Sequence, residues 1–164
     1  MSGGADEAKR YLVPLGRRWW HTVEVARTAR QIAPMVVGDE EDADVLVAAA
    51  FLHDVAYAPG LVVTGFHPID GARYLRQQGQ ERLANLLAYH TGARYEAARR
   101  GLVNELAEFE EEVSLVADAL TYCDLTTGPD GEELTPAARV EEILGKRRDK
   151  PAWGKEWKSP TSKV

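Results

Sequence analysis

The fold class predicted by the sequence is all-α, a single-domain compact helical bundle, and three observations predict it. Almost every segment carries apolar residues at helical spacing. The single extended-looking stretch, 61-LVVTG-65, is too short to build a sheet. The chain has 164 residues, the size of one domain with a core that needs neither a disulfide nor a structural metal.

Taken in order, Val25, Ala29, Ile32, Ala33 and Val36 form the apolar stripe of a helix from Arg17 to about Val36, which Gly38 ends. A second helix starts in the acidic turn 39-DEEDAD-44, favourable at a positive helix N-terminus, and runs through VLVAAAFL to about Tyr57, before Pro59-Gly60. A third begins at His67-Pro68, with proline suited to the first turn, and stops near Gly79. The fourth covers about Glu81 to Tyr89 and ends at 90-HTG-92, and 93-ARYEAARRGL-102 adds a further helical piece. The sixth, within 110-EEEVSLVADALTYCDL-125, breaks at 126-TTGPDG-131, and a last helix is expected over Pro136 to Leu144. The second and sixth are the most apolar and should be the most buried. Residues 1–14 are expected as an N-terminal extension, 15–145 as the helical domain and 146–164 as a loosely ordered basic tail.

The net charge of -6 hides an asymmetry: residues 146–164 hold seven Lys/Arg against two acids, which leaves residues 1–145 at -11. Such an acidic body argues against binding a nucleic-acid polymer, while a small anion received by local cations remains open. With Cys123 as the lone cysteine no internal disulfide can form, which suits a reducing, cytoplasmic compartment. The first ten residues show no apolar signal region, and no apolar run approaches the ~20 residues of a membrane span, so no membrane partner is expected. A homodimer stays open.

Four histidines, His21, His53, His67 and His90, each fall at or near a helix end beside apolar residues. Any one alone reads as a satisfied core histidine. The aspartates make the set harder to dismiss. Asp54 and Asp124 both fall at the C-terminal ends of the most apolar helices, where the carbonyls already carry partial negative charge, a placement unfavourable by about 0.3–1 kcal/mol even when exposed. Two buried carboxylates so placed need positive charge. The second and sixth helices have no Lys or Arg within a turn of either aspartate. A divalent cation could supply the charge, and neutral imidazoles with carboxylates suit Fe, Mn, Zn, Co or Ni. His67, expected at an N-cap where Ser, Thr, Asp or Asn is preferred, points the same way.

The ordered set H...HD...H...H...D, with the words RWWHTVEVA, FLHDVAYAP, GFHPIDGARYL, YHTGA and ALTYCDLTTGPDG, resembles the HD-domain superfamily of metal-dependent phosphohydrolases, over about residues 15–145. The resemblance implies an HD-type helical bundle in which His21, His53, Asp54 and Asp124 bind one metal. It further implies, by likeness to the two-metal branch, that His67 and His90 hold a second ion with Asp54 shared, so that one or two divalent ions are expected. A metal-activated hydroxide would then attack a small phosphorylated substrate, a nucleotide or dinucleoside polyphosphate, in line. A non-catalytic nucleotide-sensing domain and a two-iron oxygenase are the alternatives.

Around this set, Asp70, one turn after His67, could orient an imidazole or accept a proton, or serve as a first-turn acid. Arg73 and Arg94 could meet phosphate oxygens, though solvated arginines are commoner. Thr91 and Thr126 are candidate hydroxyl contacts or simple caps, and Trp19 and Trp20 are expected to pack against or cover the site. Cys123 is read as a small buried hydrophobe rather than a nucleophile. The sequence departs from the two-metal pattern in two respects: the stretch after the His-Asp doublet is VAYAPG, where many such proteins carry a lysine, and 139-RVEEILGKRRD-149 is followed by PAWGKEWKSPTSKV, where the resemblance implies a further helix.

Overall fold

The computed structural model describes residues 3–135 and residue 138. These residues form eight α-helices: α1 (Gly3–Leu12), α2 (Arg17–Val36), α3 (Glu40–Leu52), α4 (His67–Gln77), α5 (Glu81–Tyr89), α6 (Ala93–Arg100), α7 (Val103–Leu106) and α8 (Leu115–Leu125). Short 3-10 turns at Val13–Leu15, Val55–Tyr57, Pro59–Leu61 and His90–Gly92 link several of them. Among the described residues there is no strand, only an isolated bridge between Thr127 and Glu133. The all-α expectation is met. No helix among these residues is long and apolar enough to cross a membrane. The helix expected over Pro136 to Leu144 and the basic tail lie outside the described residues.

Helix α3 is the centre of the bundle, packed against α1, α2, α5 and α8. Its start is set by Asp39, whose side chain accepts the Asp42 N–H at 2.8 Å, with three more acids in the first turn to complement the helix dipole. Its alanines, Ala49 and Ala50 among them, keep the side chains short enough for neighbouring helices to approach closely, and Leu46 and Leu52 fill the remaining space, all fully buried. The helix stops at Leu52 rather than at Tyr57. His53 is its cap, and Asp54, at φ -104° and ψ 8°, leaves the helical region for the bridge between α and β. The His-Asp doublet therefore sits at the break itself, just beyond the last turn of the central helix.

Two further boundaries differ from the sequence reading. Helix α8 begins only at Leu115, where the Ser114 hydroxyl accepts the Ala117 N–H at 3.2 Å; residues 110–113, acidic and without a cap of their own, stay outside it. The segment expected as an N-terminal extension folds as α1. Ala8 and Leu12 are fully buried on it, and the Tyr74 hydroxyl on α4 donates to Glu7. Its apolar stripe is short, so periodicity alone did not separate it from a tail.

If α1 is part of the core, Leu12→Ala should destabilise the protein by about 2–5 kcal/mol in chemical denaturation. A change below about 0.5 kcal/mol would show α1 to be an appendage.

Candidate metal centre

The breaks between helices bring the singled-out polar residues together. His53 follows α3 and His90 follows α5, each one residue past the helix end. The last carbonyls of a helix have no partner within it. Both histidines use one: His53 Nδ1 lies 2.8 Å from the Ala50 carbonyl and His90 Nδ1 lies 2.6 Å from the Leu87 carbonyl, three residues back in each case. His21, on α2, places Nδ1 2.9 Å from the Gly128 carbonyl. A carbonyl only accepts, so each Nδ1 donates its proton when the ring is neutral and each Nε2 keeps its lone pair. His67 arrives differently. It is the first residue of α4 rather than its N-cap, which is Phe66, and its Nε2 lies 3.3 Å from Asp54 Oδ1.

The side chains form two groups, each with ligand atoms within 4.8 Å of one another: His21, His53 and Asp124, and Asp54, His67 and His90. Asp54 faces both. Its Oδ2 is 3.4 Å from His53 Nε2 and 3.8 Å from His21 Nε2, while its Oδ1 is turned to His67. Asp124 Oδ1 is 3.1 Å from His21 Nε2 and 3.8 Å from His53 Nε2. Converging imidazole nitrogens that carry lone pairs, with two carboxylates among them, suit a divalent transition metal, and the residues present fit such an ion.

Neither of the helices that carry the aspartates offers a cation beside Asp54, and the structure supplies one from α2. Arg18 on α2 donates from Nη1 to Asp54 Oδ2 at 2.7 Å, with its guanidinium 3.9 Å from the centre of the Tyr57 ring. Tyr57 in turn stacks on His67 at 4.4 Å between ring centres. The signal was present in RWWH: Arg18 stands three residues before His21, and that spacing puts both on one helix face. Sequence reasoning misses it because Arg18 lies on neither of the helices that carry the aspartates.

Burial opposes charge throughout the cluster, and the balance differs by residue. For Asp54 it would raise the pKa, but His53, Arg18, His67 and His21 outweigh it and hold the carboxyl well below the usual range. Asp124 is also held low, as the His21 hydrogen bond and nearby imidazoles overcome burial. His21 is raised, since its bond to Asp124 and the two carboxylates exceed its own burial cost. His53 is lowered by burial, and burial takes His67 down to about 3 despite Asp54. Burial, then Asp124, pushes the Cys123 thiol up to about 12, which leaves no thiolate for nucleophilic chemistry.

The other predicted residues fall into two classes. Thr91 joins the cluster, its hydroxyl donating to Asp124 Oδ2 at 2.6 Å. It is the only non-glycine of positive φ among the described residues, at 49°, and a β-branched residue held there costs about 1–3 kcal/mol. Asp70 has a different task from proton transfer. Its two oxygens accept the N–H groups of Val63, Thr64 and Gly65 and the Thr64 hydroxyl, at 2.7–3.1 Å, which gathers the loop leading into His67. Arg73 holds Glu108 through both Nε and Nη2, and Arg94 donates from Nη2 to Glu111, both in surface ion pairs. Thr126 back-bonds to the Tyr122 carbonyl at 2.8 Å, the cap reading. Trp19 packs on the core, whereas Trp20 is 61% exposed.

A protein-family model described as HD domain matches residues 18–140, a span that holds all six histidines and aspartates of the cluster. No curated protein and no solved structure matches the chain.

In metal-free protein, His67 refuses below about pH 6.5 a proton that the unfolded chain accepts, and takes it only near 3. The unfolded state binds more protons in that window, so stability rises with pH there, by about 2 kcal/mol between pH 5 and 7 for this residue. The contributions of Asp54 and Asp124 are present above about pH 4 and are lost only as pH falls through their lower native values. Denaturation of chelator-treated protein at the two pH values should therefore show a shallower rise for His67→Asn than for the wild type. Equal slopes would show that His67 titrates normally.

Proposed function

The chain belongs to the HD-domain family, and on that premise we propose that it is a metal-dependent phosphohydrolase acting on a small phosphorylated molecule, a nucleotide or dinucleoside polyphosphate. Most members of the family are metal-dependent hydrolases, and HD domains bind divalent metals. The observation that carries the reading is Asp54, one oxygen turned to His21 and His53 and the other to His67. In this reading His21, His53 and Asp124 hold one ion, His67 and His90 a second, and Asp54 serves both.

Bound divalent ions supply Lewis acidity, acidifying a water toward neutrality and polarising a phosphoryl oxygen. The chain's own residues do the rest. The Nδ1 bonds to Ala50, Leu87 and Gly128 hold three rings with their lone pairs inward, so little reorganisation is needed when an ion arrives. Arg18 replaces the lysine missing after the doublet: it keeps a permanent positive charge beside Asp54, and its remaining donors can meet phosphate oxygens. Two dications against two carboxylates, with Arg18 alongside, leave a net positive site in an otherwise acidic body.

A cavity of about 180 Å³, lined by Tyr57, Val62, Gly65, His67, Glu96 and Arg100 among others, opens beside the second group. It is smaller than the roughly 300–1,000 Å³ of a drug-sized pocket, so it has room for the phosphate end of such a substrate rather than for the whole molecule.

The test is metal analysis of protein purified without added metal, followed by phosphate release from a nucleotide panel under Mn and Fe. Two ions and phosphate release are expected, and a protein that hydrolyses nothing after reconstitution would overturn the reading. Asp54→Asn should strip both ions and His90→Asn only the second. Arg18→Ala should keep the ions and lower kcat/KM by about 10–100-fold, the size of a lost charge-assisted hydrogen bond.

A further inference from the structure

Thr91 occupies a backbone position that glycine would fill without strain, and the next residue, Gly92, takes the same left-handed region at φ 73°. What threonine brings to this position is its hydroxyl. That hydroxyl reaches Asp124 Oδ2 at 2.6 Å, and the Thr91 N–H reaches the Thr121 hydroxyl at 3.3 Å. Thr121 and Asp124 are three residues apart on α8, so both anchors lie on one face of that helix. Residue 91 is thus held to α8 at two points. On its other side it is bonded covalently to His90, which belongs to the other group of ligands.

We propose that Thr91 is a positioning residue for the first metal: by holding Asp124 Oδ2 it leaves Oδ1 as the single oxygen presented to His21 and His53, and it locks the two ligand groups in register. This rests on the reading of Asp124 as a ligand. Two other roles fit less well. A hydroxyl has one proton, and with that proton donated to Asp124 it offers only lone pairs to a phosphate oxygen, which has no proton to donate in return. A plain turn residue at this position would be glycine or asparagine, which take the left-handed region at less cost.

Mn²⁺ titration of chelator-treated full-length protein by calorimetry, with the thermal midpoint measured without metal, separates these roles. Thr91→Val keeps the branched shape and the strain but lacks the hydroxyl, and it should bind one of two ions about 10–100-fold more weakly, the usual cost of losing an outer partner of a ligand. Thr91→Ser should stay within about threefold of wild type. Should the valine variant not fold, Thr91→Ala carries the same expectation. Wild-type affinity in Thr91→Val, or a fall in Thr91→Ser as large as in Thr91→Val, would overturn the assignment. If Thr91→Val lowers the midpoint but leaves both affinities intact, the hydroxyl is structural only and the proposal fails. A wild-type protein that takes up no Mn²⁺ would overturn it together with the metal reading beneath it.

Discussion

Asp54 is 3% exposed, with its carboxyl held well below the usual range, at the point where the central helix α3 has just ended. A carboxylate so placed costs several kcal/mol unless positive charge and hydrogen bonds surround it. The arrangement around it answers that requirement. Arg18 crosses from α2, His67 comes from the start of α4, and His21 and His53 stand against its second oxygen. The break in α3 that places Asp54 also ends the core helix at Leu52, so the packing of the bundle and the geometry of the site are set by one event in the chain.

The imidazoles show how ordinary helix chemistry becomes ligand chemistry. An α-helix leaves its last carbonyls unpaired, and a histidine placed one residue beyond the end can reach the one three residues back. His53 and His90 do this at the ends of α3 and α5. The bond satisfies an orphan acceptor, fixes the ring and sets which nitrogen stays bare. It needs nothing beyond a histidine at the right position in a sequence that stops a helix there. His67 cannot use the device, because it begins a helix. Its loop is instead gathered by Asp70, and its ring is held against Tyr57 and Asp54.

Much of this was legible in the chain. Helical spacing gave the fold class and most helix limits, since burial of one face leaves its period in the sequence. The conflict between a carboxylate and a helix C-terminus marked Asp54 and Asp124, because that electrostatic penalty is local and does not depend on which helices meet. The helices that depend on packing were harder to read. The stripe of α1 is too brief to distinguish burial from chance until α3 covers it, and α7 spans only four residues, Val103–Leu106.

Partnership was the other blind spot. Arg73, Arg94 and Asp70 have the right chemistry for the site, and all three are committed elsewhere, to Glu108, to Glu111 and to the loop at Val63–Gly65. Arg18, on a different helix from either aspartate, is the cation that meets Asp54, 36 residues away in sequence. The sequence by itself determined which residues are costly to bury and where helices break, since both follow from local composition and the polarity of the helix. Only the tertiary structure decided which cation meets which carboxylate and which oxygen of Asp54 faces which imidazoles. Those choices depend on how far apart in the chain two helix ends may lie and still be packed together.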